Sequence, residues 1–475
     1  MREHQRHDFA SGGINRRQII QGLGCTGASL GLPINLLANH DAPLESYHPT
    51  MSLTDLEWAL LKGERGKTIQ KIMTTVVRYG DLFGADRLIP LDGPIHSVAS
   101  FGLLFFDKMM EILDELEKEG FEVLQHFSCN PLPTDEARVP LKFIERAAFK
   151  VMFPSQKPLE KHLNRLGLDK AKSFTCACYQ KEVGQVPNRG DILCWSESSA
   201  VSFANSVLGA RSNRNSGILD FFCGILGKTP SFGLLTDEGR KARHLIDVQT
   251  SKAPDPWVLG AILGQEVFDG VPYIRGLDRW FAHEAKEDFH DFCKDLGAAA
   301  ASYGSVGLYH LDGLTPEALD FGLDLLQGSV NPVVVDDARL AAMTAVMKAG
   351  LKEVGRIKLC MIGCPHNSLN QIKHWARSFE NALSKSWRTK LAIRTILVAA
   401  PQTIGILERE TDLMERLNRV GAEVGSLCAL MHSQNPVIKS GGRILTNSSK
   451  LDYYSEAVFA PESVILEALT KGGLA

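Results

Sequence analysis

Short apolar segments recur along the chain, and each is followed by a segment with a helix-like pattern. The clearest apolar segments are "SVGLYHLDG", "RIKLCMIG" and "TKLAIRTILVAA", and the first of them precedes "TPEALDFGLDLLQ". A strand, a turn and a helix in repeated succession predict an α/β protein with mainly parallel sheets. Because ligands bind at the carboxyl ends of the strands in such sheets, we expect a functional site there.

The composition is typical of a large globular protein. Of the 475 residues, 44% are hydrophobic and 23% are charged, and this length favours about three core-forming units. A net charge of -3 gives no electrostatic reason to expect nucleic acid as a partner. Beyond the N-terminal region no apolar run is long enough to span a bilayer, so we expect no stable membrane span in the mature protein.

The first 48 residues differ from the rest of the chain and are typical of an export signal with a linker. Arg16 and Arg17 precede a weakly apolar, glycine-rich stretch that extends to Leu37, as in twin-arginine signals. A basic tail with a chance arginine pair is the alternative. We therefore expect a leader over residues 1–48, a body of several non-contiguous α/β subdomains over residues 49–475, and a periplasmic or exported protein. Without a working signal the protein is cytoplasmic.

The most unusual polar segment is "WSESSAVSFANSVLGARSNR". On a helix that begins near Glu197, Ser198, Ser202 and Asn205 share one face. Serine and asparagine are poor residues for a helix interior, because their side chains compete for backbone hydrogen bonds. Their accumulation on one face therefore indicates a use beyond helix formation, such as the close approach of a ligand or of a neighbouring backbone.

The same segment ends in a loop that is rich in hydrogen-bond donors. Gly209 allows a sharp exit from the helix, and Arg211, Asn213 and Arg214 follow it. Such donors suit a carboxylate or a phosphate. A tightly packed helix followed by arginines that face solvent explains the pattern equally well, and the periodicity does not choose between these two interpretations.

Three of the ten cysteines lie in predicted turns at strand ends. Cys176 is in "FTCACYQ", Cys364 in "IGCPHNSL" and Cys428 in "GSLCALMHS". Pro365 suits the first position of a helix, and unpaired amides at a helix N-terminus stabilise a thiolate. The spacing does not indicate a tetrahedral zinc site, because CxxC is absent from these segments. The spacing is compatible with two interpretations. The three thiols hold an iron–sulfur cluster, or they are three unrelated buried cysteines.

The segment "WSESSAVSFANSVLGARSNR" resembles the signature of the aconitase X family, the large catalytic component of a group of aconitase-like dehydratases. Further blocks over residues 53–454 resemble the family as well, namely "LTDLEWALLKGERG", "TCACY", "LYHLDGLTPEA", "VNPVVVDDARL", "IGCPHNSL" and "ILTNSSKLDYY". The resemblance implies an aconitase-like α/β fold of several subdomains with mainly parallel sheets, lacking the small swivelling domain. It also implies an iron-dependent hydro-lyase that removes water from a small hydroxy acid bound through its carboxylate.

The resemblance also implies which residues carry the chemistry. By position in the family blocks, Cys176, Cys364 and Cys428 would hold an iron–sulfur cluster or a related iron centre. Such a centre takes up the leaving hydroxide as a Lewis acid, while a base removes a proton from the adjacent carbon and arginines hold the carboxylate. The candidate catalytic residues are Glu197, Ser449 and Lys450, and the candidate substrate-binding residues are His96, Ser198, Ser199, Asn205, Arg211, Asn213, Arg214 and Ser448.

The chain departs from the family pattern at several positions, which puts the substrate in doubt more than the reaction class. Ser128 and Cys129 stand in a run that is usually threonine-rich, Lys228 replaces an arginine, and Leu235 stands where histidine is common. The family uses a small swivelling domain, fused or separate, which often supplies the base serine. No block of this chain resembles it, so we expect a separate small subunit. The alternative function is an exported small-carboxylate-binding protein that kept the pocket and lost turnover.

Overall fold

A computed structural model describes residues 47–98, 106–121, 123, 125–353 and 355–474. The twin-arginine pair and almost all of the predicted leader lie outside these described residues. Within them, strands and helices alternate as the sequence predicts, and the α/β class is confirmed. No helix of the described part of the chain combines the length and the apolar character that crossing a bilayer requires.

The described strands form two larger parallel sheets and two small strand pairs. One parallel sheet has four strands and the other has five, and both carry helices between successive strands. The strands are Leu88–Pro90, Ile95–Ser97, Phe127–Cys129, Lys228–Pro230, His244–Gln249, Pro272–Arg275, His310–Leu311, Val333–Asp336, Ile357–Asn367, Arg394–Ala399, Ala422–Gly425, Arg443–Thr446 and Val458–Phe459.

The helices cover the sheets and connect their strands. They are Asp55–Leu61, Lys67–Leu82, Phe106–Lys118, Phe143–Met152, Gln156–Arg165, Ser198–Phe203, Gly217–Leu226, Pro256–Val267, Asp278–Phe281, Lys286–Tyr303, Pro316–Phe321, Asp337–Met347, Leu369–Ser384, Pro401–Arg409, Thr411–Val420, Ala429–Ser433, Pro436–Lys439, Ser449–Tyr454 and Glu462–Lys471. Helices Pro256–Val267 and Lys286–Tyr303 approach each other so closely that a Cβ on Gly260 would lie 2.4 Å from the carbonyl oxygen of Leu296.

The five-stranded sheet is built around Ile357–Asn367, which is almost wholly buried. Its continuous apolar run is the pattern of a parallel strand that is covered on both faces. Two expectations are wrong here, that Cys364 lies in a turn after the strand and that a helix begins at Pro365. The strand continues to Asn367, and the next helix begins at Leu369 because Ser368 caps it in a capping box with Gln371.

Candidate active site

Polar side chains from several segments meet where parallel strands end. Ile95–Ser97 and Phe127–Cys129 are paired in parallel and carry a histidine and a serine into this region. In the five-stranded sheet, Ile357–Asn367 carries Cys364, while Cys428 and Lys450 lie shortly after the ends of two other strands, Ala422–Gly425 and Arg443–Thr446. The expectation that polar groups gather at the carboxyl ends of strands therefore agrees with this arrangement.

The three predicted metal ligands, Cys176, Cys364 and Cys428, lie close enough to act on one another electrostatically; Cys364 is buried, and Cys176 and Cys428 are part-buried. Burial raises the pKa of each thiol to about 12. Neighbouring thiols add to the effect of burial, since Cys364 raises the pKa of Cys176, Cys428 raises that of Cys364, and Cys176 raises that of Cys428. Each thiol therefore interacts electrostatically with the other two.

This set of donors fits an iron centre. Thiolate sulfur is the ligand that iron–sulfur clusters take from proteins. Buried thiols lose their protons only when a cation compensates the charge, and a bound metal supplies that cation. Against the effect of burial, Lys450 lowers the pKa of Cys176 and of Cys364. Two backbone N–H groups at the start of helix Ala429–Ser433 lower the pKa of Cys428 in the same way.

The spacing of the three sulfur atoms distinguishes them from a site for a single ion. Among the described residues, Asp114, Glu117 and His162 are the one group whose donor atoms all lie within 4.8 Å of one another. In that surface group the imidazole contacts both carboxylates, at 3.2 and 2.9 Å. The cysteine sulfurs therefore span more than 4.8 Å, whereas ligands about 2.3 Å from one ion lie closer together.

A buried ion pair lies beside the thiols. The Glu197 carboxylate accepts hydrogen bonds from Lys450 Nζ, from Ser199 Oγ at 3.0 Å and from Asn130 Nδ2 at 3.1 Å. Burial alone would raise the pKa of Glu197, but the charge and hydrogen bond of Lys450 outweigh it and lower the pKa to about 2. The same pairing raises the pKa of Lys450 against the effect of burial. Both groups are therefore charged at neutral pH.

The ion pair continues into a hydrogen-bonded chain through His96. Asn130 donates its amide to Glu197, so its Oδ1 accepts from His96 Nε2 at 2.8 Å. His96 Nδ1 then accepts from Ser128 Oγ, also at 2.8 Å, and Gln185 donates to that oxygen at 2.7 Å. Burial lowers the pKa of His96 to about 4, which keeps the ring neutral. Glu197 thus fixes the tautomer of His96 by way of Asn130.

His96 contacts no open space, although the resemblance suggested a substrate contact. Its side chain is wholly buried and both ring nitrogens are occupied within the protein. Asn130, which connects His96 to Glu197, is the residue that sequence reasoning missed. The asparagine in "FSCN", at the place of the family's Thr-Thr-x-Asn run, is the signal that marks it.

The departures from the family pattern mostly lie away from this region. Lys228 pairs with Glu57 at 2.6 Å, and Leu235 is a buried core residue. Ser128 is the exception, because its hydroxyl bonds the His96 ring. The exchange of threonine for serine therefore touches the hydrogen-bonded chain behind Glu197.

The two predicted arginines have different surroundings. Arg211 donates to a backbone carbonyl at 3.1 Å and pairs with the exposed carboxylate of Asp237. Arg214 is part-buried, and its Nη1 has no hydrogen-bond partner. Burial lowers the pKa of Arg214, while the nearby Tyr454 and Glu197 oppose that shift. Of the two, Arg214 is the cation that is free to bind an anion beside the ion pair.

The side chains of Asn205 and Asn213 form structural hydrogen bonds within the protein and do not line a cleft. Asn205 donates to the carbonyl oxygens of Ser212 and Gly307, both at 2.8 Å. Its Oδ1 accepts from the Ser212 amide at 2.9 Å and from Arg240 at 3.2 Å. Asn213 bonds a neighbouring loop through one donor at 3.0 Å and one acceptor at 2.8 Å. The placement of Asn205 in a substrate cleft is therefore corrected, because its amide has no capacity left for a ligand.

The polar helix serves two purposes at its two ends. At its beginning Ser198 is part-exposed and Ser199 donates to the capping carboxylate. Further along, a Cβ on Gly297 would lie 2.9 Å from Ser202 Oγ, so this face packs tightly against helix Lys286–Tyr303. The stripe beyond the first turn is thus explained by close packing, and a π-helical turn over Ala204–Leu208 completes it.

Ser448 and Ser449 differ in whether their hydroxyl groups have a hydrogen-bond partner within the protein. Ser448 Oγ donates to the carbonyl oxygen of Cys364 at 2.5 Å and caps helix Ser449–Tyr454. Ser449 Oγ is buried and has no hydrogen-bond partner. Ser448 therefore joins a strand end to a helix start, whereas Ser449 has a hydroxyl available to a ligand.

Comparison with known proteins gives consistent matches over most of the chain. Residues 50–238 match the aconitase X first domain, and residues 242–345 match the aconitase X second domain. The chain is 32% identical to the phosphomevalonate dehydratase large subunit of Thermococcus kodakarensis, over 85% of this chain and 95% of that protein. It is 29% identical to the cis-3-hydroxy-L-proline dehydratase of Pseudomonas aeruginosa, over 85% of this chain and 66% of that protein.

A solved structure agrees with these matches. The crystal structure of Thermococcus kodakaraensis aconitase X in its holo-form aligns with a TM-score of 0.71 at 29% identity, covering 88% of this chain and 100% of that chain. The predicted aconitase-like α/β fold and the predicted hydro-lyase class are thereby confirmed. The chain belongs to the aconitase X family.

Proposed function

We propose that this chain is the catalytic large subunit of an iron-dependent dehydratase for a small hydroxy acid, with the carboxylate of the substrate bound by Arg214. The observation that carries the proposal is the meeting of three interacting thiols with the Glu197–Lys450 ion pair and an arginine whose Nη1 is unpaired. Most buried polar groups are hydrogen-bonded, so those without a partner beside the ion pair are candidates for contact with a ligand or an ordered water. Arg214 Nη1 and Ser449 Oγ are two such groups.

Cys176, Cys364 and Cys428 would hold the iron centre. When bound, the centre supplies a Lewis acid for the leaving hydroxyl group. The donor set of three thiols supports an iron–sulfur cluster, because thiolate is the ligand that such clusters take from proteins. Lys450 Nζ keeps its proton beside Glu197, so it offers a charged donor next to the thiols.

The proton acceptor is proposed to come from a second chain. A base works best when its pKa lies near the operating pH, and Glu197 at about 2 is far too acidic. His96 has both nitrogens occupied, and Lys450 is protonated. The large subunit of Thermococcus kodakarensis matches over 95% of its length, whereas the hydroxyproline enzyme of Pseudomonas aeruginosa has a further third outside the match. Both observations support a separate small subunit that supplies the base.

Two assays test this function. Anaerobically purified protein should carry iron and absorb visible light, and Cys364→Ser should lose both. Together with a small-subunit partner, it should dehydrate phosphomevalonate or cis-3-hydroxy-L-proline, the substrates in the names of the relatives. Protein that binds small carboxylates but takes up no iron under reducing, iron-replete conditions would support the binding-protein alternative and overturn the dehydratase.

We further propose export through the twin-arginine route, which rests on Arg16 and Arg17 before the apolar stretch. Changing both residues to lysine should retain the protein in the cytoplasm, and a signal-fusion reporter should lose its export. Export that is unchanged in the double-lysine variant would exclude this route.

A further inference from the structure

The three cysteines come from segments that the sheet alone does not join. Cys364 lies in strand Ile357–Asn367, and Cys428 follows strand Ala422–Gly425 of the same sheet. Cys176 lies in a turn outside the sheets. Strand pairing therefore cannot hold the Cys176 turn in place, and other contacts must bring its sulfur to the other two.

One side chain, His366, contacts both of the other cysteine segments. Its Nδ1 lies 3.2 Å from Thr175 Oγ1, and its Nε2 lies 3.1 Å from the carbonyl oxygen of Leu427. Its backbone N–H donates to Cys176 Sγ at 3.3 Å, and its carbonyl accepts from Gln180 Nε2 at 3.4 Å. Thr175 immediately precedes the first cysteine and Leu427 the third, while His366 is itself two residues after the second.

The directions of these hydrogen bonds are fixed by the partners. Leu427 offers only a carbonyl oxygen, so His366 Nε2 must carry the hydrogen. The ring is then an acceptor at Nδ1, and the Thr175 hydroxyl donates to it. Thr175 Oγ1 also accepts from the Ala177 amide at 3.0 Å, which leaves its own hydrogen for the ring. Both ring nitrogens are thus occupied, so His366 is not itself a metal ligand.

We propose that His366 is a positioning residue that fastens the Cys176 and Cys428 segments to the Cys364 strand, so that the three thiols converge before metal binds. The imidazole is 1% exposed and acts as a rigid spacer between a donor on one segment and an acceptor on the other. Such outer contacts orient metal ligands, and their loss typically lowers metal affinity or activity by about 10- to 100-fold. The proposal rests on the proposed function only in naming the three thiols as ligands.

Two substitutions of His366 each remove one of the two hydrogen bonds of its ring. In His366→Asn the shorter amide can still accept from Thr175 but cannot reach Leu427, so the Cys428 segment is released. In His366→Gln the amide can still donate to Leu427 from the position of Nε2 but loses the acceptor for Thr175, so the Cys176 segment is released. The two variants should therefore loosen different cysteines.

The experiment measures alkylation of each cysteine by iodoacetamide in the metal-free full chain, resolved by mass spectrometry. Loss of one hydrogen bond corresponds to a factor of roughly three to ten. We expect Cys428 to react faster by that factor in His366→Asn, and Cys176 in His366→Gln, with Cys364 unchanged in both. Equal rates in parent and variants, or a rise shared by all three thiols, would overturn the proposal.

His432→Asn is the matched control. His432 is wholly buried, lies four residues after Cys428, and bonds the carbonyl oxygen of Pro133 at 3.3 Å rather than another cysteine segment. It should lose stability without a selective change at Cys176. Should the His366 variants not fold, Thr175→Val removes a single hydroxyl, and Cys176 alone should react faster.

Iron content separates this proposal from the proposed function. A selective alkylation pattern in a chain that takes up no iron would support His366 as a positioning residue and contradict the iron-dependent dehydratase. Iron uptake by the parent, with no selective alkylation pattern in either His366 variant, would support the iron-dependent dehydratase and contradict His366 as a positioning residue. With both proposals correct, each His366 variant binds iron but releases it to a chelator faster than the parent and the His432→Asn control.

Discussion

Among the buried charge networks of the described residues, two contain a similar ion pair and differ in the groups that surround it. In one, Arg240 donates to Glu317 at 2.6 Å, to Asn205 and to a backbone carbonyl, so that every nitrogen of its guanidinium is occupied. In the other, Glu197 pairs with Lys450. Both networks have unpartnered atoms, Glu317 Oε2 in the first and Arg214 Nη1 and Ser449 Oγ beside the second. The difference is that the second pair also has three thiols nearby, and that one of its unpartnered groups is a cation.

This comparison shows that a buried ion pair does not by itself identify an active site. Taking two charges out of water costs several kcal/mol, and their attraction offsets that cost only with good hydrogen bonds. The Arg240 network uses its hydrogen bonds to join Asn205 to helix Pro316–Phe321. The Glu197 network instead lies beside Arg214 Nη1 and Ser449 Oγ, which have no hydrogen-bond partner and can bind a ligand.

The largest effect is expected from removing a thiol beside the Glu197 network. Cys364→Ser should abolish iron binding and reduce dehydration to background, because the oxygen of serine is a poor substitute for thiolate at iron. Cys293→Ser, at an equally buried cysteine in helix Lys286–Tyr303, is the control and should retain iron. Iron analysis and turnover measure both outcomes. Full iron content in Cys364→Ser would mean that the thiols do not form the site.

The next largest effect concerns the ion pairs themselves. Lys450→Met leaves Glu197 as a buried, unpaired charge and should lower the free energy of unfolding by about 3–5 kcal/mol. The double variant Glu197→Gln/Lys450→Met should regain much of that stability but no activity. The corresponding double variant of Arg240 and Glu317 should regain both stability and activity. Denaturant unfolding and turnover measure the two quantities, and activity in the first double variant would remove the functional distinction between the networks.

The sequence predicts those parts of the site that depend on local patterns, but not those that depend on contacts between distant segments. The α/β class and the gathering of Cys364 and Cys428 at strand ends follow from local patterns, because apolar runs and turns specify parallel strands. The distinction between Arg211 and Arg214 does not, since it depends on Asp237, which lies in another loop. Two arginines three positions apart look equivalent until their partners are known.

The polar helix shows a second limit of periodicity. The spacing correctly places Ser202 and Asn205 on a common side of the helix, but it cannot tell a ligand from a neighbouring backbone. The close approach of Gly297 and the four hydrogen bonds of Asn205 make that side a packing surface. Glu197, at the beginning of the same helix, carries the polar chemistry instead.

The pH dependence of stability gives a smaller effect that also separates the networks. Lys450, against the effect of burial, lowers the pKa of Glu197 from 4.5 to about 2. Because the folded-state pKa is the lower one, the pair contributes stability that is fully present above about pH 4.5 and is lost as the pH falls towards 2. The shift corresponds to about 3 kcal/mol.

Unfolding of the metal-free protein between pH 2 and pH 5 measures this contribution. The double variant Glu197→Gln/Lys450→Met should lack that part of the pH dependence, because its amide does not titrate. Variants of the Arg240–Glu317 pair are the control, and they should keep the part of the pH dependence that Glu197 contributes. An identical slope in the parent and the Glu197 double variant would show that this carboxylate is not held ionised by Lys450.

The smallest effect concerns the two arginines at the edges of the networks. Arg214 has an unpaired Nη1 near Glu197, whereas Arg211 pairs with Asp237, whose side chain is 87% exposed. A charge-assisted contact to a substrate carboxylate contributes about 1.5–3 kcal/mol, so Arg214→Gln should raise KM by roughly tenfold to a hundredfold. Arg211→Gln removes a surface ion pair and a hydrogen bond to the carbonyl oxygen of Leu235. Neither contact involves the proposed substrate site, and such ion pairs contribute at most about 1 kcal/mol, so KM should change by less than about fivefold. Iron content and the unfolding midpoint should stay close to the parent in both variants. If Arg211→Gln raises KM more than Arg214→Gln does, the substrate carboxylate binds at the surface loop, and the unpaired guanidinium beside Glu197 has another role.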